Sequence, residues 1–154
     1  ARPNLIFVML AAFAVAGIIF ASSWTGQGLI SGDAVKLERK LNGHFYAVAH
    51  VNGIAIEFMV DTGATIVLLS KQTAKILGIE KSQFKNIVTL STANGAVRAA
   101  IFKLDELRLG SIRATDVKAG VILSDDVDFN LLGMSFLNGL SSWSTSGSTM
   151  TLTP

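Results

Sequence analysis

Hydrophobic residues are distributed unevenly along the chain. Leu5 to Ala21 contains no polar side chain (LIFVMLAAFAVAGIIFA), and extending to Trp24 adds only Ser22 and Ser23. Twenty helical residues at about 1.5 Å each span roughly 30 Å, the thickness of a bilayer core. Residues 1–24 are therefore expected to form a transmembrane anchor or signal segment, with Trp24 at the interface. Residues 25–35 are rich in Gly and Ser and are expected to be a linker, so that a folded domain covers 36–154.

Beyond Lys36 the pattern is that of short strands. His44–Val51 and Ile54–Val60 alternate partly with period two, and Asn52-Gly53 between them is a two-residue hairpin turn. Asp61-Thr62-Gly63-Ala64-Thr65 follows, then the apolar run Ile66–Leu69. Ser70 is placed to cap a helix over Lys71–Leu77, which Gly78 ends. A second hairpin is expected at Thr92-Ala93-Asn94-Gly95, with arms Asn86–Ser91 and Ala96–Leu104. Further strands are expected near Glu106–Leu109, Ile112–Leu123 and Met150–Thr153, and a short helix over Met134–Leu137. Many short strands with Gly turns and little helix define an all-β, barrel-like domain.

Composition removes several functional classes. Of 13 Lys and Arg, only Arg2 precedes residue 22, which leaves 12 basic against 11 acidic residues in the remainder. No basic run interleaves with aromatics, so nucleic acid is not an expected partner. The chain has no cysteine, which rules out disulfides, thiolate metal sites and cysteine nucleophiles. No metal or other cofactor is expected: Asp125, Asp126 and Asp128 lack the spacing of a calcium loop. His44 and His50 read as ordinary strand residues. No Gly-x-Ser-x-Gly, Walker or dinucleotide glycine pattern occurs.

Asp61 is the one acidic residue set between apolar strands, where an uncompensated carboxylate is costly. Its surroundings, Tyr46–Leu69 (YAVAHVNGIAIEFMVDTGATIVLL), resemble the active-site region of the retropepsin-like aspartic proteases. Asn130-Leu131-Leu132-Gly133, about 70 residues after the motif, is similar to that family's apolar-apolar-Gly element before its C-terminal helix. Between them lies a candidate flap. The likeness is to bacterial single-domain, membrane-anchored members. It implies a closed retropepsin-like β-barrel and hydrolysis of peptide bonds in a polypeptide substrate, without a cofactor.

Two neighbouring carboxylates share a proton, one acting as base toward water and the other as acid toward the carbonyl. None of the six other aspartates is followed by the Ser/Thr-Gly pair, so the second carboxylate is expected from a second chain in a homodimer. The resemblance assigns Asp61, Thr62 and Gly63 to the catalytic motif. Thr62 would hydrogen-bond across the dimer axis, and Gly63 would allow close backbone approach. Ala64, Thr92, Ala93, Asn94, Gly95 and Phe129 are assigned to substrate binding. Ala64 offers the carboxylate no hydroxyl, which implies higher apparent pKa values for the dyad. The family's interface Arg–Asp pair is missing from both its positions, Met134 and Thr65. The rival from another class is a catalytically silent peptide-binding or dimerisation module on the same fold. By the positive-inside rule, Arg2 before the apolar run implies a domain on the far side of the membrane, and the resemblance to bacterial members makes the expected location the periplasmic side of the inner membrane.

Overall fold

A computed structural model describes residues 30–92 and 95–154. The apolar segment expected to form the anchor lies outside them. Among the described residues no helix is long and apolar enough to cross a membrane.

The strands are β1 (Ile30–Ser31), β2 (Val35–Glu38), β3 (Tyr46–Val51), β4 (Ile54–Val60), β5 (Val67–Leu69), β6 (Asn86–Thr92), β7 (Gly95–Leu109), β8 (Ile112–Ile122), β9 (Leu131–Leu132), β10 (Ser142–Ser146) and β11 (Thr149–Thr153). Two short α-helices accompany them among the described residues, α1 (Lys71–Ile76) and α2 (Met134–Leu137). Eight strands form one sheet in the order β1-β8-β5-β9-β4-β3-β7-β6, and β7 pairs with β8 as well. A smaller sheet has the order β10-β11-β2. The molecule is mostly β, as its alternating pattern predicts.

Local sequence explains much of this. Asn52 and Gly53 both take positive φ, 49° and 84°, as a two-residue turn matched to strand twist requires. The turn fixes the β3–β4 register, with Val51 opposite Ile54 and Tyr46 opposite Met59. Ser70 caps α1 by accepting the Thr73 N–H at 3.1 Å.

Three details differ from the sequence reading. Within the stretch read as linker, Ile30 and Ser31 pair with Ala114 and Arg113 of β8, and Val35 already belongs to β2. The Glu106–Leu109 strand is not separate: β7 runs unbroken from Gly95 to Leu109. Its buried positions change phase between Leu104 and Leu107, which looks like a break; the ladder here passes from Leu104–Val117 to Glu106–Thr115 without pairing Asp116, whose φ is 55°. The third is β10. Its five residues, SWSTS, are all exposed, so no hydrophobic alternation marks them, and pairing to β11 alone makes them a strand.

Two apolar clusters fill the interior. The larger contains Phe45, Phe58, Phe102 and Phe136. The smaller joins Ala64, Ile66, Leu68 and Leu131 to Leu90, Ala99 and Ile101 of the β6–β7 hairpin. This second cluster ties the Asp61 loop to the base of the candidate flap.

Candidate active site

Strand β9 decides where Asp61 sits. Strands β4 and β5 are consecutive in the chain, yet β9 lies between them, parallel to β4 and antiparallel to β5. The connection, residues 61–66, must therefore cross the end of β9. Backbone hydrogen bonds fix the crossing. Met59 N–H donates to Asn130 O at 2.9 Å, Asp61 N–H to Leu132 O at 3.1 Å, and Met134 N–H to Ala64 O at 2.8 Å. Gly133 is required by space: a Cβ there would stand 2.2 Å from Ile66 O and 2.7 Å from Ala64 O.

The carboxylate is held within this loop. Asp61 is only 3% exposed. Gly63 N–H donates to its Oδ1 at 2.8 Å, and Ala64 N–H donates to its backbone carbonyl at 3.2 Å. Burial pushes its pKa above the ordinary carboxylate value; hydrogen bonds from the Gly63 and Ala64 amides and the charge of His44 oppose the rise. A carboxyl group held in this way can take up or give a proton under milder conditions than a solvated aspartate.

The other expected site residues fall at different distances from this centre. Thr62 is exposed beside Asp61, Gly63 is half-buried, and Ala64 is wholly buried in the smaller cluster. The Ala64 side chain therefore packs against core residues, while its backbone serves the loop. Thr92 and Gly95 pair at the end of the β6–β7 hairpin; Ala93 and Asn94 between them lie outside the described residues. Phe129 is half-buried, packs on the smaller cluster and lines a cleft of about 350 Å³ with Tyr46, Met59 and Asn130. Among the described residues no group of three His, Cys, Asp or Glu side chains is arranged to hold a metal ion.

Two contributors were not read from the sequence. His44 is the first: Val60 N–H donates to Phe45 O at 2.9 Å, so His44 and Asp61 each stand one residue beyond that bonded pair, and the charge of His44 opposes the raised pKa of Asp61. The signal was present in the Asn52-Gly53 turn, which fixes every partner along the hairpin. Asn130 is the second. Its Oδ1 accepts Ser70 N–H at 3.0 Å and its Nδ2 donates to Glu57 O at 3.1 Å, clasping β4 to the start of α1. That clasp spans 60 and 73 residues of sequence and leaves no local signature.

A buried aspartate on a crossing loop, with a Gly amide on its carboxylate and a hairpin anchored beside it, is the arrangement expected of an aspartic-protease site. Comparison with known proteins agrees. Residues 47–139 match the family described as "gag-polyprotein putative aspartyl protease". The chain also resembles the crystal structure of a retropepsin-like aspartic protease from Rickettsia conorii. The TM-score is 0.69 and identity 35%, covering 79% of this chain and 100% of that one. An uncharacterised protein from the cobV 5′ region of a Sinorhizobium species is 41% identical over 106 residues, 69% of this chain and 46% of the relative. An uncharacterised protein of Rickettsia prowazekii (strain Madrid E) is 41% identical over 101 residues, 66% of this chain and 43% of the relative. The chain thus spans less than half the length of these curated relatives. It belongs to the gag-polyprotein aspartyl protease family and has a retropepsin-like fold.

Proposed function

We propose that this protein is an aspartic endopeptidase that works as a homodimer, with one Asp61 from each chain. The observation that carries the reading is the state of Asp61, 3% exposed on a loop fixed by β9 and with its pKa raised by burial. Each chain supplies one such carboxyl, and a two-fold axis brings equal residues together. In the pair one carboxyl is protonated and the other ionised, because two adjacent negative charges are costly. The ionised one takes a proton from water as its oxygen bonds to the scissile carbonyl carbon; the protonated one gives its proton to the carbonyl oxygen. Collapse of the tetrahedral species breaks the C–N bond, and a carboxyl returns a proton to the departing amine. Thr62, exposed beside Asp61, is the side chain assigned to hydrogen-bond across the axis.

The eight-stranded sheet is read as a closed barrel, since the second pairing of β7, with β8, brings the series back on itself. The hairpin ending at Thr92 and Gly95, with Ala93 and Asn94 at its tip, is the proposed flap. Leu5–Trp24 is proposed to anchor the chain in a bacterial inner membrane with the domain in the periplasm. Carbonate extraction of membranes is expected to leave the full chain in the pellet; release into the supernatant would remove the anchor from the account.

The test of activity is unbiased cleavage profiling on a peptide library with wild type and Asp61→Asn side by side. Wild type is expected to cut, and Asp61→Asn to fold, dimerise and cut nothing. Comparable cleavage by both would end the assignment.

A further inference from the structure

The face that carries Asp61 continues along the β3–β4 ladder. Residues two apart on a strand share a face, at about 3.3 Å per residue. Met59 and Glu57 therefore follow Asp61 on one side of β4, about 7 and 13 Å away. Their partners on β3 are Tyr46 and Val48. A cleft opens on this ladder, lined by Tyr46, Glu57 and Met59, the last two of which precede Asp61 in chain order. Its floor is apolar, from Met59, Phe129 and the Tyr46 ring; Glu57, Asp128 and Asn130 supply polar groups.

These polar groups are not equally engaged. The Asn130 amide is used by Ser70 and Glu57, and the Tyr46 hydroxyl accepts from Asn42 Nδ2 at 2.9 Å. Glu57 pairs with Lys40 at 3.1 Å. The Asp128 side chain is exposed and makes no hydrogen bond or ion pair among the described residues. Two of the lining residues already contact a cation: the Lys40 ammonium pairs with Glu57 and lies 4.2 Å from the centre of the Tyr46 ring. A cation with an aliphatic stem is favoured where an aromatic or apolar surface adjoins a carboxylate.

We infer that this cleft receives a lysine or arginine side chain of the substrate, its stem on Met59 and Phe129 and its charged head at Asp128. A neutral apolar side chain would cover the same floor but leave Asp128 in water. An acidic one would face both Asp128 and Glu57. Solvent screens an exposed pair, so the preference for Lys or Arg over Met is modest, about two- to fivefold in kcat/KM.

The inference rests on the protease reading, and one experiment separates the two. A peptide series is varied through Lys, Arg, Met, Leu and Glu at each position flanking the cut. It is given to the full chain as wild type, Asp128→Asn and Asp128→Lys. At one position wild type is expected to prefer Lys and Arg over Met by the stated factor, and less so at high salt. Asp128→Asn is expected to bring the Lys/Met ratio near one, and Asp128→Lys to invert it in favour of Glu. Cleavage with a ratio unchanged by either substitution, or with no basic preference at any position, overturns this inference and leaves the protease reading standing. No cleavage by wild type overturns both.

Discussion

The Asp61 loop and strand β10 are finished to very different degrees by a single chain. Around Asp61, β9 threads between two consecutive strands, three backbone hydrogen bonds pin the crossing, and the neighbouring Ala64 is wholly buried. Along β10 all five residues are exposed, and only the edge facing β11 is paired. One region is determined by packing that admits no added atom; the other is determined by register alone. Chemically the order reverses. The Asp61 loop holds one carboxylate where the proposed reaction needs two, so under that proposal a tightly packed loop still depends on a second copy for its chemistry.

The contrast is tested most severely by adding one methyl group to each region. Gly133→Ala would force a Cβ to within 2.2 Å of Ile66 O, against backbone that cannot step aside. We expect a loss of about 4 kcal/mol or more, measured by urea denaturation. Gly147, in the β10–β11 turn, has φ of 58° and nothing within 4 Å of an added Cβ. Gly147→Ala then carries only the left-handed backbone penalty, about 1–2 kcal/mol. Equal losses at the two positions would erase the distinction.

A smaller effect of opposite sign is expected at Asp61. Burial raises its folded pKa above the unfolded value, so in the window between the two the folded state binds the extra proton and stability falls as pH rises. Asp61→Asn should therefore stabilise the fold at neutral pH more than at pH about 3, below the ordinary carboxylate range. Thermal melts at the two pH values check this, and a gain independent of pH would show that burial does not disfavour the charged form.

The smallest expected effect is at His44. Lys40 N–H donates to its carbonyl, its own N–H donates to Asn42 Oδ1 at 3.1 Å, and its charge opposes the raised pKa of Asp61. The pH–rate profile should be bell-shaped, since one proton is shared. Removing the imidazolium by His44→Gln should move the acid limb to higher pH, because the carboxyl then ionises less readily. His44→Arg should keep that limb near its wild-type position. An acid limb unmoved in His44→Gln would mean that His44 lies too far away to act.

How much of this was legible in the sequence follows the same division. Asn52-Gly53, Ser70, Gly78 and the Asp61 motif are local signals, and each specifies its turn, cap or loop through its own backbone preferences or hydrogen bonds. The insertion of β9 between β4 and β5 is not local. Leu131-Leu132 is too short to announce a strand, and its place depends on partners some 70 residues earlier. Strand β10 was missed because strand patterns are read from burial and β10 has none. Ala64 was read by its place in the motif as a substrate contact, whereas burial assigns its side chain to the core. His44 reads from the sequence as one strand residue among others, although the hairpin carries it, like Asp61, one residue beyond the Phe45–Val60 hydrogen bond.

Each proposed active site needs two chains, each contributing Asp61. Mixing inactive Asp61→Asn chains into a fixed amount of wild type, after time for exchange, tests it most directly. If sites form only between two wild-type chains and dimerisation is saturated, a ninefold excess of Asp61→Asn should leave roughly one-tenth of the original cleavage rate. A rate unchanged by that excess, under conditions where mixed dimers are shown to form, would mean that one Asp61 suffices and that the site does not need two.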